Sequence, residues 1–427
     1  IDLSGEGGMV WFKARTTGQN HRMFDTERGS DYSMTPNATS RQSDHGSTGL
    51  NSFDNDGFTL GAAVANGSGI YGGDYASWTW RKAPKYFDIV TYTGSGSAKT
   101  VAHSLGSAPG MIIIKNRDVT DPWAVYHRAN TAAPQTDYLV LNTTATTVDS
   151  AAWWNDTAPT SSVFTVGTDH SVNANGENYV AYLFAHNDGD GGFGPDGDQD
   201  IIKCGSYTGN GSSSGLEIDL GFEPQWVLVK AATGAAYDWF IWDTMRGMDV
   251  NRSGPWLRPN LANGEGSNTG LALGVTSTGF NAGNDTNTNG NGETYIYMAI
   301  RRGPLAVPEA ATEVFAVSTP STPVFVSGFA VDMVIDTLKI SQGNHISARI
   351  TGDEYMVTND DNAGGGRDFN FFDDNGGLDL GTNWYGTNQA GSIAWMWKRA
   401  PSFFDALCYT GTGANRTISH NLNAAPD

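Results

Sequence analysis

Apolar and polar residues follow a period of two along several short stretches of the chain. In the stretch YVAYLF, Tyr179 and Ala181 fall on one side of an extended backbone, and Val180 and Tyr182 fall on the other. Both sides are apolar, which predicts a central strand that is covered on both faces. Gly-Asn, Asn-Gly and Asp-Gly pairs between such stretches are typical of tight turns. Since no stretch shows three clean turns of helical apolar spacing, the sequence predicts an all-β protein.

Four sequence anchors recur along the chain and divide it into repeated units. They are an opening strand with Tyr-Thr-Gly, a Gly-led apolar strand, a strand rich in aromatic residues, and a closing strand. The closing strand reads YASWTWRKAP, YVAYLFAH, YIYMAIRRGP and IAWMWKRAP in successive copies. The anchors predict units at 1–86, 87–200, 201–303, 314–403 and 404–427, with a Pro-containing joint at 304–313.

Full units have about 100–115 residues, a size at which an antiparallel β-sandwich encloses its own core. We therefore predict tandem sandwiches of jelly-roll or lectin-like type, and the sequence leaves open whether each unit folds alone or in pairs. Unit 1–86 is predicted to be clipped at its N-terminal side, and 404–427 to be the start of a fifth unit. The chain is thus expected to be a section of a longer array.

Charge and cysteine content narrow the possible partners. Lys and Arg number 25 against 45 Asp and Glu, which gives a formal net charge of −20 at pH 7. This balance argues against nucleic acid and against anionic membranes as partners. No run of 18 apolar residues predicts a transmembrane helix. Cys204 and Cys408 do not make a disulfide framework and are expected to be reduced and buried.

Several of the repeated stretches resemble a repeat found in large tailed-phage proteins of marine and environmental phages. The stretches are WTWRKAPKYFDIVTYTGSG, WWNDTAPTSSVFTVGTD, LGFEPQWVLVK and YIYMAIRRGP. Such proteins are tail-fibre or other virion components, so the resemblance implies lectin-like, concanavalin-type sandwich units in an appendage or decoration protein. The resemblance is strongest over 9–303, and it implies no catalytic residues.

These observations predict a non-enzymatic structural protein of a phage virion: a tail fibre, an appendage or a capsid decoration that contacts the host surface. Its expected partners are other copies of itself, other virion proteins and a host-surface glycan. Its expected location is the virion, assembled in the cytoplasm of a bacterial host. Two alternatives remain open, namely a carbohydrate-binding adhesin or receptor-binding lectin, and a glycan hydrolase of the concanavalin fold.

The hydrolase alternative depends on the string LEIDLGFE. Carboxylates at alternate positions of one strand point into the same cleft and can act as nucleophile and acid/base. Glu217 and Asp219 fit this spacing, whereas Glu223 is one residue too far along and falls on the opposite face. The corresponding strand of the second unit carries Ala102 and Ser104, which favours a solvent-facing edge over a catalytic strand.

Two further stretches supply candidate ligand residues. The tract HNDGDGGFGPDGDQD offers carboxylates for Ca²⁺ or Mg²⁺, although a solvated linker is the favoured interpretation and no cofactor is expected. The carboxylates belong to Asp188, Asp190, Asp196, Asp198 and Asp200. Trp153 and Trp154 lie in a polar, Asn-rich stretch and are candidates for stacking on a sugar, with contact to an adjacent unit as the favoured alternative.

Two short motifs repeat between units and are interpreted as turns. DTERG at 25–29 and DTMRG at 243–247 share Asp, Thr, Arg and Gly, which predicts an Asp–Arg pair closed by a glycine with positive φ. His103 and His420 occupy the same position of two units, and a turn hydrogen bond explains them better than a catalytic base.

Overall fold

The computed structural model describes residues 1–61, 74–319, 324–338, 344–352, 354–359, 365–366, 372–379 and 392–426. Strands make up 38% of the chain and helices 8%, so the predicted all-β class is confirmed. The α-helices in these ranges have four residues each, and none is long and apolar enough to cross a membrane. The labels unit 1 to unit 4 denote the predicted segments 1–86, 87–200, 201–303 and 314–403.

Unit 1 contains a three-stranded sheet of order β2-β1-β7 and the two-stranded sheets β3-β4 and β5-β6. Its elements are α1 (Leu3–Glu6), β1 (Gly8–Ala14), β2 (Arg22–Asp25), β3 (Tyr32–Ser33), β4 (Ser43–Asp44), β5 (Leu50–Phe53), β6 (Phe58–Leu60) and β7 (Tyr75–Arg81).

Unit 2 contains a six-stranded sheet of order β13-β12-β11-β10-β15-β8 and the pair β14-β9. Its elements are β8 (Phe87–Thr93), β9 (Lys99–Ala102), β10 (Met111–Asn116), β11 (Ala124–His127), β12 (Asp137–Val140), β13 (Val148–Asp149), α2 (Ala151–Trp154), β14 (Val163–Val166), α3 (His170–Asn173) and β15 (Asn178–Phe184).

Unit 3 contains a four-stranded sheet of order β16-β22-β18-β19 and a three-stranded sheet of order β17-β21-β20. Its elements are β16 (Ile202–Thr208), β17 (Leu216–Asp219), β18 (Pro224–Ala231), β19 (Trp239–Asp243), β20 (Gly274–Val275), β21 (Gly279–Ala282), α4 (Thr286–Asn289) and β22 (Thr294–Arg301).

Unit 4 contains a six-stranded sheet of order β23-β30-β25-β26-β27-β28 and the pair β24-β29. Its strands are β23 (Phe315–Ser318), β24 (Val324–Val326), β25 (Met333–Leu338), β26 (His345–Ala348), β27 (Glu354–Val357), β28 (Gly365–Gly366), β29 (Gly377–Asp379) and β30 (Ser392–Trp397). Single 3₁₀ turns occur at Gly46–Thr48, Pro134–Thr136, Thr244–Arg246, Ala311–Glu313 and Arg349–Thr351.

One strand order recurs in the main sheets of units 2, 3 and 4. The opening strand pairs with the closing strand, the closing strand pairs with the third strand, and the third strand pairs with the fourth. These strands are β8, β15, β10 and β11 in unit 2, β16, β22, β18 and β19 in unit 3, and β23, β30, β25 and β26 in unit 4. In unit 1 the third, fourth and closing strands are β1, β2 and β7. All these pairings are antiparallel, and the opening residue faces the end of the closing strand, as Phe87 faces Phe184 and Phe315 faces Trp397. The closing strand is therefore central in each sheet, as the apolar pattern on both its sides predicts.

The main sheets of units 1, 2 and 3 meet in one shared core. This core combines Trp11, Trp78 and Trp80 with residues of β10 and β15 and with Trp226, Met298 and Ile300. Unit 3 and unit 1 also have separate cores between their own sheets, and unit 4 has a third. In β15, Tyr179 to Phe184 are all at most 1% exposed, which confirms that this strand is covered on both faces.

Candidate functional site at the junctions between units

Aromatic rings from three units meet at the centre of the shared core. The Trp80 ring of unit 1 lies 6.2 Å from Phe184 of unit 2 and 5.6 Å from Trp226 of unit 3, both in edge-to-face geometry. Edge-to-face pairs of this kind add about 0.5–1.5 kcal/mol each to the burial of their area. One face of each main sheet thus packs against the main sheets of the other two units.

A ring nitrogen at the start of each fourth strand makes the same contact to a neighbouring unit. In the neighbouring unit, one residue pairs with that unit's own fourth strand. The acceptor is the backbone carbonyl of the residue that comes directly after it in the chain. The three contacts are Trp123 Nε1 to Thr35 O at 3.1 Å, Trp239 Nε1 to Val140 O at 3.1 Å and His21 Nε2 to Arg258 O at 3.0 Å. Unit 2 thereby contacts unit 1, unit 3 contacts unit 2, and unit 1 contacts unit 3, so the units form a closed ring.

The histidine replaces tryptophan in this set without losing the donor. Trp11 Nε1 donates to His21 Nδ1 at 2.9 Å, which leaves the proton on Nε2 to be donated to Arg258. Burial lowers the pKa of His21 to about 3, so the ring is neutral at pH 7 and keeps this tautomer. His127, at the end of β11, is also buried, and burial likewise lowers its pKa to about 3.

The DTxRG motifs form the predicted Asp–Arg pairs at the end of the fourth strand. Arg28 Nε donates to Asp25 at 2.6 Å, and Arg246 Nε donates to Asp243 at 2.6 Å. The glycines that close the turns, Gly29 and Gly247, have φ of 89° and 96°, which confirms the turn interpretation. All four charged side chains are buried, so each pair needs further hydrogen bonds to offset its desolvation.

Those hydrogen bonds come from the closing strand of a neighbouring unit. Tyr182 Oη of unit 2 donates to Asp25 Oδ2 at 2.7 Å, and Trp78 Nε1 of unit 1 donates to Asp243 Oδ2 at 2.9 Å. Arg246 also lies over the Trp78 ring, with its guanidinium carbon 5.4 Å from the ring centroid. The sequence comparison between units recognised the motif as a turn and missed this bond between units.

At the third junction, between units 2 and 3, other residues stand in place of both the aspartate and the side chain that donates to it. His127 occupies the Asp25 position by hairpin register, since it faces Met111 as Asp25 faces Met9. The closing strand opposite it has Met298 where units 1 and 2 have Trp78 and Tyr182, and the neutral His127 Nε2 donates to Tyr297 O at 3.0 Å instead. The donor and the carboxylate are therefore lost together, and neither is left buried without its partner.

A lysine lies at one position of the third strand in each unit of the ring. Lys13, Lys115 and Lys230 are fully buried, and burial lowers the pKa of each to about 8. Lys115 donates to Thr39 O of unit 1 at 3.0 Å, and Lys230 donates to Thr144 O of unit 2 at 2.9 Å. Lys115 and Lys230 thus tie the loop of one unit to the sheet of the next, whereas Lys13 donates to Ala14 O and Thr17 O within its own unit.

Unit 4 lies against unit 3 through a buried network of charges. Arg399 contacts both carboxylate oxygens of Glu223, at 2.9 and 2.6 Å, and also donates to Asp405 at 2.7 Å. Arg302 pairs with Asp332 at 2.6 Å. Burial alone raises the pKa of Asp332, but the nearby arginines outweigh it and hold that pKa below its usual value.

The carboxylates of the LEIDLGFE string do not converge on one site. Glu217 and Asp219 are exposed on β17, which is an edge strand of its sheet. Glu223 is 3% exposed and is held by Arg399 of unit 4. The arrangement lacks the pair of carboxylates across a cleft on which glycoside hydrolysis depends.

The acidic tract folds back on itself. Asp200 accepts hydrogen bonds from the Gly189 and Gly191 amides at 2.8 and 3.0 Å, and Asp190 accepts one from the Asp188 amide at 3.1 Å. Asp196 and Asp198 line a shallow surface depression with Lys203 and Arg301. Among the described residues no group of three His, Cys, Asp or Glu side chains is arranged to hold a metal ion. The metal role of these aspartates stays a prediction.

The two candidate tryptophans are buried. Trp153 is 5% exposed and stacks on Tyr138, with ring centroids 3.7 Å apart and planes 6° from parallel. Trp154 is 2% exposed and its Nε1 donates to Asp137 O at 3.0 Å. Both rings pack within their own unit, and their sugar-binding role stays a prediction. Both cysteines are free thiols, with Cys204 buried and Cys408 half-buried.

Comparison with known proteins shows the family of the chain. Residues 3–304 match the family model described as Domain of unknown function (DUF7483). The chain belongs to the DUF7483 family. The matched region of this DUF7483 chain contains the whole ring of units 1 to 3.

Other comparisons add little to the DUF7483 assignment. No curated protein matches the chain significantly. A solved structure described as "Crystal Structure of the STIV MCP" is similar over 50% of this chain and 85% of that chain, with 8% identity and a TM-score of 0.16. A TM-score of this size does not establish a shared fold.

Sequence reasoning missed the residues that join the units, although a signal for some of them was present. Each apolar third strand, in WFKAR, IIIKNR and VLVKAA, contains one lysine at the same position. A lysine inside an apolar run is costly unless it meets acceptors, and its recurrence in three copies indicates a shared contact. The carbonyl acceptors carry no such signal, because every residue has one.

Proposed function

We propose that this DUF7483 chain is a non-enzymatic structural protein of a phage virion, as a tail fibre, an appendage or a capsid decoration. One observation carries the proposal: the positions that units 1, 2 and 3 share are the positions that join the units to each other. Trp123, Trp239 and His21 make one equivalent contact in three places. Residue types that repeat for packing, rather than for lining a cleft, support a building role.

Other features support the same role. The resemblance of the repeated strands to those of tailed-phage virion proteins points to a particle, and the net charge of −20 favours solubility at high local concentration. The expected partners are further copies of this chain and other virion proteins, and the assembled particle is expected to contact a host-surface glycan.

The test is the location of the protein in purified phage particles. Mass spectrometry of gradient-purified particles should detect the chain in a fixed ratio to a known structural protein, and immunogold labelling should place it on the head, tail or fibre. Particles that lack the chain, while the infected cell contains it, would overturn the proposal. A glycan array with the intact protein separates host attachment from a purely structural role.

A further inference from the structure

The two junctions that hold unit 3 in the ring both contain a buried histidine. His21 of unit 1 donates from Nε2 to Arg258 O of unit 3 at 3.0 Å. His127 of unit 2 donates from Nε2 to Tyr297 O of unit 3, also at 3.0 Å. Both rings are at most 1% exposed. Units 1 and 2 therefore each present one histidine to unit 3.

The junction between units 1 and 2 uses other donors. Trp123 Nε1 donates to Thr35 O at 3.1 Å, and Tyr182 Oη donates to Asp25 at 2.7 Å. An indole N–H and a phenol are neutral donors that take up no further proton in mild acid. The three junctions of the ring thus differ in the chemistry of their donors, and the difference sets unit 3 apart.

Each of the two histidines already uses its second ring nitrogen as an acceptor. His21 Nδ1 accepts from Trp11 Nε1 at 2.9 Å, and His127 Nδ1 accepts from the Ala129 amide at 3.2 Å. A proton added to Nδ1 would face another N–H donor inside the protein, and a hydrogen bond would be lost. The closed ring has no place for this proton, so each histidine can take it up only after its contact with unit 3 has opened.

The charged groups around His21 also oppose a further proton. Lys13 of unit 1 and Arg246 of unit 3 act on the imidazole, and both are cations. Glu265 of unit 3 pairs with Arg246 at 3.2 Å and with Arg15 of unit 1 at 2.8 Å. Burial, with the two cations in addition, holds the pKa of His21 at about 3.

His127 has a similar environment. Arg128 and His186 of its own unit act on the imidazole and disfavour a second proton, and burial is the largest cause that lowers its pKa to about 3. The titratable groups that act on Arg128 and His186, or on which those two act, come from both units. They are Asp188 and Asp190 of unit 2, and Lys203, Cys204 and Tyr297 of unit 3.

We propose that the ring opens on one side in mild acid: unit 3 separates from units 1 and 2, while units 1 and 2 stay joined. One movement frees both histidines, because His21 and His127 lie on the two surfaces that face unit 3. Unit 3 can move as a body since it has a core of its own between its two sheets. At neutral pH both histidines are uncharged and the ring is closed. This response to pH goes beyond the proposed structural role and does not depend on it.

Cys204 is a natural reporter of the contact between units 2 and 3. It is 1% exposed within the shared core, and its thiol donates to Ala185 O of unit 2 at 3.5 Å. The chain has two cysteines, so Cys204 is the single thiol of the Cys408→Ser variant. Dithiopyridine reagents label thiols in acid as well as at neutral pH. The labelling rate of the folded variant, divided by its rate in urea at the same pH, measures how often this contact is open.

The normalised labelling rate of Cys204 should rise as the pH falls from 8 to 5. A histidine with a pKa of about 3 in the closed ring and about 6.5 in the open ring favours opening by about 30-fold at pH 5, so the two together favour it by about 1000-fold. His21→Gln and His127→Gln, each added to the Cys408→Ser chain, should each remove about 30-fold of this rise. His420→Gln is the matched control, because His420 is exposed and lies outside the ring, and it should leave the rise unchanged.

A second thiol reports the junction between units 1 and 2. Thr35→Cys, in a chain that also carries Cys204→Ala and Cys408→Ser, places a thiol at a position that is 3% exposed and in contact with Trp123. Its normalised labelling should change less than tenfold between pH 8 and 5, because this junction stays closed. Hydrogen exchange of peptides that contain Thr35 and Trp123, corrected for the intrinsic rate at each pH, gives the same comparison without this substitution.

Two results would overturn the proposal. A Cys204 rate that does not respond to pH would show that acid leaves unit 3 in place, and an equal rise at both thiols would show that the whole ring comes apart. The Cys204 profile of the Cys408→Ser chain decides between these results by itself if a histidine variant does not fold at pH 8. Detection of the chain in phage particles tests the structural role separately, whatever the response to acid.

Discussion

At the scale of the residue, each buried Asp–Arg pair of the DTxRG motifs accepts a hydrogen bond from a side chain of another unit. The Asp25–Arg28 pair receives a hydrogen bond from Tyr182, and the Asp243–Arg246 pair receives one from Trp78. A buried ion pair is stable only when its remaining lone pairs are satisfied, so the neighbouring unit completes each site. The two substitutions at the third junction, to His127 and Met298, follow the same rule.

The Tyr182→Phe variant tests this dependence. It removes the hydroxyl that donates to Asp25 and leaves the ring in place, so the free energy of unfolding should fall by about 1.5–3 kcal/mol, as for a hydrogen bond to a charged group. The matched control is Met298→Leu at the equivalent position, where the side chain makes no hydrogen bond and the loss should stay below about 1.5 kcal/mol. Urea unfolding measures both, and equal losses would contradict the role of the hydroxyl.

The buried histidines predict a loss of stability in acid. The pKa of His21 and of His127 is about 3 in the folded chain and about 6.5 when unfolded, so between these values the unfolded chain binds more protons. Their contribution is complete above pH 6.5 and declines as the pH falls toward 3. At pH 5 each histidine should cost about 2 kcal/mol of unfolding free energy.

The His21→Gln variant checks this pH dependence. Its amide cannot titrate, so the decline in unfolding free energy between pH 6.5 and 5 should be smaller than in the natural chain by about 2 kcal/mol. Above pH 7 the slopes of the two proteins should agree. A variant that retains the full acid loss would show that His21 is already protonated in the folded chain.

At the scale of the element, the ion network at Arg399 joins unit 4 to unit 3. The Arg399→Met variant leaves the carboxylates of Glu223 and Asp405 without their common partner, and the free energy of unfolding should fall by about 3–5 kcal/mol. Arg81→Met is the control, because the Arg81–Glu6 pair at 3.8 Å is largely exposed and such pairs contribute about 0–1 kcal/mol. Similar losses in the two variants, measured by urea unfolding, would rule out a structural role for the network.

Much of each element could be predicted from the sequence, because its signals are local. The period of two in YVAYLF identifies a central strand, and the DTxRG motif identifies an Asp–Arg turn, since both depend on residues close together in the chain. The partner of each strand face could not be predicted. An apolar face shows that something covers it, but Leu228 and Trp226 do not indicate whether that cover is their own unit or another.

The candidate ligand residues show the same limit. Trp153 lies in a polar sequence, yet Tyr138, fifteen positions earlier, covers its ring. Glu217 and Glu223 are six residues apart and have opposite environments, one exposed on an edge and the other paired with Arg399. The distant residues that bury or pair a side chain come from the tertiary arrangement, which local spacing does not encode.

At the scale of the whole molecule, three units of one chain are joined as the subunits of a cyclic trimer are joined. Three equivalent ring-nitrogen contacts join the units around one shared core of aromatic and aliphatic residues. Heterologous contacts that close on themselves limit the ring to three units, so growth into an array needs a different surface.

The central claim is that the repeated positions serve to pack units 1, 2 and 3 against each other, and differential scanning calorimetry tests it most directly. The ring should unfold in one transition. The variants Tyr182→Phe, Trp239→Phe and Trp78→Phe, one at each junction, should all lower that same midpoint by roughly 2–4 °C per kcal/mol lost. Three separate transitions, with each variant lowering only the midpoint of the units that it joins, would contradict the claim.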